Sequence, residues 1–322
     1  YSDPARLSQS IAAAAAESGI GLTLLPVFYA HAGFGGTEPG YAQRRFIHDL
    51  DGFARLHEAA RSAVASLPDA IVGVAPHSLR AVTADELRHL ADMAGEGPIH
   101  IHIAEQVREV EDCQAWSGAR PVEWLLDNMP VDERWCLVHA THMTDTEATR
   151  LGASGAVAGL CPITEANLGD GLFPAGPFLA AGGRFGIGSD SNVMIDMTEE
   201  LRWLEYGQRL ARQARNIWAS GSGRSSGQDI FEGAVDGGAR ALGVIGGLCV
   251  GGPADMLSLD AQHPSIAGKS DSAILDAFLF AGGRNAIDCV WRRGEQLVTA
   301  GRHYDHDRLA ERYRRVLKAL VP

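Results

Sequence analysis

The sequence has few cysteines, few aromatic residues, less positive than negative charge, and no long hydrophobic run. Lysine and arginine number 28 against 40 aspartate and glutamate residues, so the formal net charge is −12 at pH 7. Proteins that bind nucleic acid or anionic lipid need basic surfaces to neutralise phosphate. No apolar stretch approaches the roughly 18 residues needed to cross a bilayer. We therefore expect neither a nucleic-acid nor a membrane partner.

The cysteines are irregularly spaced and form no C-x-x-C pair; they are Cys113, Cys136, Cys161, Cys249 and Cys289. A chain of 322 residues buries enough apolar surface to be stable without disulfides. An odd number of widely spaced cysteines is typical of free thiols in a reducing compartment. The sequence therefore predicts an unsecreted, cytoplasmic protein.

Short apolar runs alternate with segments of helical periodicity along most of the chain. Segments such as Asp85–Gly95, Pro121–Asn128 and Thr144–Gly152 have the helical pattern. We interpret as buried parallel strands the runs Leu22–Tyr29, Ile71–Ala75, Ile99–Ala104, Cys136–Ala140, Ala156–Cys161 and Phe185–Gly188. This alternation predicts βαβ units and a parallel sheet, either doubly wound or closed as a (β/α)8 barrel.

Ionisable residues at the strand ends distinguish these two folds. His77, His102, His139 and Asp190 each stand at or just after the C-terminal end of a different predicted strand. In a barrel those ends surround one axis, whereas a doubly wound sheet places its site at a single crevice. We therefore predict an α/β protein built on a (β/α)8 TIM barrel.

The sequence pattern changes towards the C-terminus. The stretches 246–260 and 288–302 read as short strands and turns, and the Gly/Ser-rich stretch 221–227 reads as a mobile surface loop. We predict a barrel over residues 1–245. A small β-rich segment with a terminal helix, contributing to a β-sandwich, follows over residues 246–322.

The segment PIHIHIAEQ at 98–106 has the densest set of chemically active side chains. His100 and His102 alternate along a strand, and Glu105 follows His102 by three residues. A metal ligand beside a carboxylate suits hydrolysis, because the metal lowers the pKa of bound water and the carboxylate transfers its proton. Two interior histidines hydrogen-bonded in a core are the alternative, and His100 with His102 is a second possible ligand pair.

Two further segments complete this pattern. His139 ends the strand within 135–142, and Asp190 follows the strand within 186–191. Alone, such a histidine is more often a hydrogen-bonded structural residue, and Gly-Ser-Asp-Ser is an ordinary turn. With His102 and Glu105, in this order at successive strand ends, they form a much more specific pattern.

These residues resemble the amidohydrolase superfamily of metal-dependent barrel hydrolases, and longer motifs resemble its formimidoylglutamate deiminase family. The motifs are HSLRAVT (77–83), HIHIAEQ (100–106), EDCQAWSG (111–118), RWCLVHATH (134–142), TEANLGDG (164–171), GIGSDS (186–191) and EELRWLEYGQRL (199–210). The similarity extends over residues 21–302. It implies zinc-dependent hydrolysis of N-formimidoyl-L-glutamate to N-formyl-L-glutamate and ammonia, a reaction of histidine degradation, by a homodimer.

The resemblance also implies a role for each matching residue. His102 would be a zinc ligand, Glu105 and His139 would transfer protons, and Asp190 would complete the metal and base site. His100 would be a neighbour of the metal and not a ligand.

His77 and Arg80 of the HSLR motif would contact the carboxylate end of this small-molecule substrate. Arginine suits that task because its planar guanidinium can pair with a carboxylate through two hydrogen bonds.

In the family that the chain resembles, two more zinc ligands come from an H-x-H pair after the first barrel strand. No segment of this sequence matches that pair, and the run Leu22–Tyr29 corresponds to the third barrel strand. We therefore expect six of the eight strands. Because His102 and Asp190 would be two ligands where such a site needs four or five, we expect zinc binding by this chain alone to be weak or absent.

Three alternatives remain open. A related amidohydrolase that deaminates a cyclic base would leave Arg80 with no carboxylate to bind. A cysteine-dependent deiminase would use Cys136 or Cys161, near His139, as a nucleophile. A metal-free, inactive fragment or binding module would turn over no substrate.

Overall fold

The computed structural model describes residues 3–191 and 193–321. Parallel β-strands form its centre. Six strand positions follow one another in chain order, two of them split into pieces. They are formed by β1 (Thr23–Leu24) with β2 (Val27–Phe28), β3 (Ile71–Val72) with β4 (Ala75–Pro76), β5 (Ile99–Ile103), β6 (Trp135–His139), β7 (Val157–Leu160) and β8 (Arg184–Ile187).

Each strand position pairs with its neighbours in sequence, as in a (β/α) barrel. β1 pairs with β3 and β2 with β4, while β5, β6, β7 and β8 form one continuous parallel sheet. Isolated bridges from Val74 to Ile99 and from Ser78 to His102 join the second position to the third. The six predicted strands and their parallel arrangement are confirmed.

The run Leu22–Tyr29 does not form one continuous strand as predicted. Pro26 interrupts it because proline has no N–H to donate, although the Pro26 carbonyl accepts the Ala75 N–H at 2.9 Å. The second position is broken where Gly73 passes close to the next strand. A Cβ on Gly73 would lie 2.2 Å from the Pro98 carbonyl oxygen, so only glycine fits there.

Helices follow most of the strands, and several begin with strong capping residues. Thr83 and Thr144 each form a capping box with a glutamate three residues later. The helices are α1 (Arg6–Ser18), α2 (Leu50–Val64), α3 (Ala84–Ala94), α4 (Val107–Ser117), α5 (Pro121–Asn128), α6 (Asp145–Ser154), α7 (Pro162–Leu168), α8 (Ala175–Ala180), α9 (Met197–Arg212), α10 (Ser226–Leu242), α11 (Ser272–Ala277) and α12 (His306–Leu320). The three helices predicted from periodicity are present.

The hydrophobic core lies between the strands and their helices. Ile101, Leu137, Leu160 and Phe178 are among its fully buried side chains. Each such side chain contributes roughly 1.5–3 kcal/mol through removal of apolar surface from water. Along β5 the three isoleucines are buried, while the alternating His100 and His102 are partly exposed on the opposite face.

The C-terminal part contains a four-stranded antiparallel sheet. Its order is β12 (Arg302–His303), β11 (Glu295–Thr299), β10 (Ile287–Arg292) and β9 (Met256–Leu259). Helix α12 follows this sheet, and α11 packs against α10 of the preceding segment. The division between residues 245 and 246 stays a prediction.

The predicted loop over 221–227 ends earlier than expected. Ser225 caps α10 by accepting the Gln228 N–H at 3.0 Å, so Ser226 and Gly227 are already helical. Within residues 3–191 and 193–321, no helix is long and apolar enough to span a membrane.

Candidate active site

The structure brings the predicted site residues together at the C-terminal ends of the strands. His77 directly follows β4, His102 lies in β5, and His139 is the last residue of β6. The ring centroids are 5.0 Å apart for His77 and His102, and 5.8 Å apart for His102 and His139. Asp190 follows β8, and its charge acts on His139.

The two histidines of the H-x-H pair have different hydrogen bonds. His102 Nδ1 donates to the His77 carbonyl at 2.7 Å, a bond that leaves the lone pair on Nε2. A backbone carbonyl behind one ring nitrogen is the usual support for a histidine that ligates metal through the other. His100 Nε2 donates instead to the Ala241 carbonyl at 2.7 Å. This bond occupies Nε2 of His100, which argues against the alternative ligand pair.

His139 is almost completely buried and lies between two carboxylates. Its Nδ1 is 3.3 Å from Glu165 Oε1, and its Nε2 is 3.8 Å from Glu105 Oε1. Burial alone would lower the pKa of His139. The Glu165 hydrogen bond and the charges of Glu105, Glu165 and Asp190 outweigh burial, so the pKa is raised. These groups give His139 the environment of a proton acceptor.

Glu105 is held by the turn that follows β5. The buried Glu109 carboxylate accepts the N–H groups of Ala104 at 3.1 Å and of Glu105 at 3.2 Å. Ala104 has φ of +50°, an unfavourable conformation for a residue with a Cβ. Glu109 therefore stabilises a strained turn that places the Glu105 side chain against His139.

Sequence reasoning missed the role of Glu165. This residue lies in the first turn of α7, is 5% exposed, and also accepts the Cys161 N–H at 2.9 Å. Its motif carried part of the family resemblance, but no function was assigned to it. The available signal was a glutamate four residues after a predicted strand end, at the start of a helix.

The other end of the site contains His77, Arg80 and Tyr29. The His77 ring packs edge-on against Tyr29 with centroids 4.9 Å apart. Burial, together with electrostatic repulsion from His102 and Arg80, lowers the pKa of His77 to about 4. His77 is therefore a neutral hydrogen-bonding group at pH 7. Tyr29, also missed from the sequence, accepts a hydrogen bond from Gln43 Nε2 at 2.9 Å, so its own O–H can donate.

Arg80 has an unsatisfied donor in this part of the site. Its Nε is buried and finds no hydrogen-bond partner among the residues that the structure describes. Leaving a buried charged donor unpaired costs on the order of 1–3 kcal/mol or more. A bound carboxylate would satisfy this donor.

The donor types suit a metal only in part. His102 Nε2 and the Asp190 carboxylate are an imidazole nitrogen and an oxygen, both of which zinc accepts. Over the described ranges, no group of three or more His, Cys, Asp or Glu side chains is arranged to hold a metal ion.

The cysteines near the site are poor nucleophiles. Cys136 and Cys161 are buried, and burial raises the pKa of Cys136 to about 12. Burial and the neighbouring carboxylates, Glu165 first, also raise the pKa of Cys161. Since the thiolate is the reactive form, this geometry argues against a cysteine-dependent deiminase.

Comparison with known proteins relates this chain to amidohydrolases. The profile of the Amidohydrolase family matches residues 8–297. Formimidoylglutamate deiminase of Pseudomonas aeruginosa is 50% identical over all of this chain and 71% of that protein. The 5-methylthioadenosine/S-adenosylhomocysteine deaminase of Natronomonas pharaonis is 30% identical over 61% of this chain and 45% of that protein.

Solved structures show the same relationship. The crystal structure of an amidohydrolase from Brucella melitensis superposes with a TM-score of 0.93 and 51% identity, covering 99% of this chain and 70% of that one. An adenosine deaminase from Xanthomonas campestris with bound zinc has a TM-score of 0.80 and 23% identity, covering 97% and 70% of the two chains. The second likeness shows the fold alone. The predicted amidohydrolase-type barrel is confirmed.

Proposed function

The chain belongs to the amidohydrolase family, and from this premise we propose that it hydrolyses the amidine C–N bond of N-formimidoyl-L-glutamate to N-formyl-L-glutamate and ammonia. The 50% identical relative carries the name of that activity. Two features of the site together carry the proposal. At one end, the buried Arg80 Nε has no hydrogen-bond partner among the described residues, and at the other, His139 lies between two carboxylates. A dicarboxylate with a hydrolysable amidine matches both ends.

Arg80 and His77 bind the carboxylate end of the substrate. Arg80 offers its buried Nε, which has no hydrogen-bond partner among the described residues, and the neutral His77 adds a further hydrogen bond to the carboxylate. Tyr29 packs against His77 and has a free O–H proton. Together they give an acidic protein a local site for an acidic substrate.

His139, Glu105 and Asp190 move protons. His139 and Asp190 take a proton from the attacking water, whose oxygen forms a bond to the formimidoyl carbon. Glu105 protonates the imino nitrogen, which becomes an amino group as the C=N bond becomes single. His139 then returns its proton to this nitrogen, the C–N bond breaks to release ammonia, and the added hydroxyl gives its proton to Glu105 as the formyl C=O forms. The 3.8 Å separation between His139 Nε2 and Glu105 Oε1 keeps both groups at the same reacting centre.

One divalent metal ion, which we propose is zinc, completes the site. His102 Nε2 and the Asp190 carboxylate would hold it, and a bound ion would make water acidic enough to react near neutral pH. The unprotonated Nε2 of His102, set by the 2.7 Å bond at Nδ1, supports this assignment.

A homodimer and a cytoplasmic location are further parts of the proposal. The five free cysteines support a reducing compartment. Deamination of a cyclic base is the second candidate, favoured by the 30% identical nucleoside deaminase. It is the weaker one because it leaves Arg80 Nε without a partner.

The decisive experiment measures ammonia release by the purified protein supplied with Zn²⁺. We expect release from N-formimidoyl-L-glutamate and none from 5-methylthioadenosine. A chelator should abolish turnover and iodoacetamide should leave it intact. Release from the nucleoside alone, or sensitivity to alkylation without sensitivity to the chelator, would contradict the proposal.

A further inference from the structure

The backbone at the end of β6 turns sharply at His139. His139 has φ of +68° and Ala140 has φ of +48°, so two consecutive residues with a Cβ adopt the left-handed conformation. This conformation is sterically unfavourable for such residues and persists only where the surroundings hold it. The orientation of the His139 ring therefore depends on its side-chain contacts.

The Nδ1 side of the ring meets a carboxylate that is itself firmly held. Glu165 Oε1 lies 3.3 Å from His139 Nδ1 and accepts the Cys161 N–H at 2.9 Å. A second glutamate stabilises the same turn of α7, because Glu200 Oε2 accepts the Ile163 N–H at 2.9 Å. Glu165 therefore acts as a fixed acceptor.

An ionised carboxylate can only accept hydrogen bonds. If it faces one nitrogen of a neutral imidazole, the proton lies on that nitrogen and the lone pair on the other. For His139 the lone pair then lies on Nε2, the nitrogen that faces Glu105.

We propose that Glu165 is a positioning residue that holds the proton of His139 on Nδ1 and so leaves Nε2 free to accept a proton from water. Its significance for catalysis rests on the proposed function, whereas the tautomer is a property of the protein alone. Without the carboxylate, the ring can adopt the opposite tautomer, in which Nε2 carries a proton and cannot accept one. At a comparable carboxylate–histidine pair, replacement of the acid by its amide lowers kcat by about 10⁴-fold.

The test compares Glu165→Gln and Glu165→Asp with a matched control, Glu205→Gln. Gln keeps the size but loses the charge, and Asp keeps the charge on a shorter side chain. Glu205 is also a buried glutamate that accepts backbone N–H groups, from Ile217 at 3.1 Å and Trp218 at 3.0 Å. Loss of buried glutamate as such is therefore separated from loss of the His139 contact.

The first measurement is the ¹⁵N spectrum of labelled histidine in the metal-free protein at pH 9, with the His139 signals assigned by their absence from His139→Gln. We expect wild type, Glu205→Gln and Glu165→Asp to carry the proton on Nδ1. In Glu165→Gln we expect a mixture of tautomers or protonation on Nε2.

The second measurement is steady-state kinetics with N-formimidoyl-L-glutamate. We expect Glu165→Gln to lower kcat by about 10²- to 10⁴-fold with KM changed less than about 3-fold, and Glu165→Asp to recover at least 10-fold of that loss. Glu205→Gln should retain wild-type kcat per folded molecule.

Protonation of wild-type His139 on Nε2 would overturn the inference, even if Glu165→Gln failed to fold. An unchanged tautomer and kcat in Glu165→Gln would do the same. A tautomer that depends on Glu165 in a protein without activity on N-formimidoyl-L-glutamate would leave the inference standing and refute the proposed function.

Discussion

The two ends of the candidate active site shift the pKa of a histidine in opposite directions. At the end that we propose is catalytic, which contains His139, Glu105 and Glu165, the two carboxylates raise the pKa of His139 against the effect of burial. At the end that we propose binds the substrate, which contains His77, Arg80 and Tyr29, burial and electrostatic repulsion from His102 and Arg80 lower the pKa of His77 to about 4. Burial opposes the charged form in both places, so the neighbouring charges decide the difference.

The two ends also differ in how far the protein satisfies its own polar groups. At the catalytic end, both ring nitrogens of His139 face carboxylates, and backbone N–H groups hold Glu165 and Glu109. At the binding end, the buried Nε of Arg80 has no hydrogen-bond partner among the described residues. We infer that the catalytic end is preorganised by the chain, whereas the binding end is completed by its ligand.

The largest effect is expected from removing the proposed proton-transfer group, Glu105. Glu105→Gln keeps the shape of the side chain but removes the group that protonates the leaving nitrogen. With Zn²⁺ supplied in excess, we expect kcat to fall by about 10²- to 10⁴-fold while the metal bound per chain stays at the wild-type value, because Glu105 is not among the proposed ligands. Metal analysis and steady-state kinetics measure these two quantities. Glu111→Gln, at an exposed position on α4, is the control, and normal turnover by Glu105→Gln would refute the proton-transfer role.

An intermediate effect is expected at the binding end. Arg80→Ala removes the guanidinium that we propose pairs with the substrate carboxylate, so kcat/KM should fall by several-fold to a thousand-fold, mainly through KM. Arg80→Lys keeps the charge but loses the planar donor pair, and we expect a smaller loss. Arg88→Ala, an exposed arginine that pairs with Asp85, serves as the control. Unchanged kinetics in Arg80→Ala would contradict the proposal that Arg80 binds the substrate carboxylate.

The smallest effect concerns the free energy of unfolding and involves Glu200, whose carboxylate accepts the Ile163 N–H of α7. Burial, only partly offset by the Ile163 N–H, raises the pKa of Glu200 from 4.5 to about 7. Between these pH values the folded protein holds a proton that the unfolded chain has lost, so wild-type stability falls as pH rises through this window. Glu200→Gln does not titrate. Its free energy of unfolding relative to wild type should therefore rise by about 1–3 kcal/mol between pH 4 and pH 8.

Urea unfolding of the metal-free protein at a series of pH values measures that difference. A constant difference across the whole range would show that Glu200 titrates alike in the folded and unfolded chains. A difference that moved the other way with pH would show that folding stabilises the Glu200 carboxylate in its charged form.

Local signals in the sequence predicted most of the elements and the order of ionisable residues at the strand ends. The predicted runs Ile99–Ala104 and Cys136–Ala140 became β5 and β6 with ends shifted by one residue, and Pro121–Asn128 became α5 with the same bounds. Pro26 lies inside the run Leu22–Tyr29, which the apolar pattern predicted as one strand. The split into β1 and β2 reflects the loss of one N–H, a backbone effect that a hydrophobic pattern does not record.

The sequence by itself determined the alternation of strands and helices, the family and the order of ionisable residues at the strand ends, because these depend on local periodicity and motif spacing. Only the tertiary structure decided which groups meet. It placed Glu165 against His139, and it placed the Glu109 carboxylate where it accepts the Glu105 N–H. It also gave His100 and His102 different hydrogen-bond partners. Tautomers and pKa shifts depend on distance and burial between residues far apart in the chain, and these are properties of the folded arrangement.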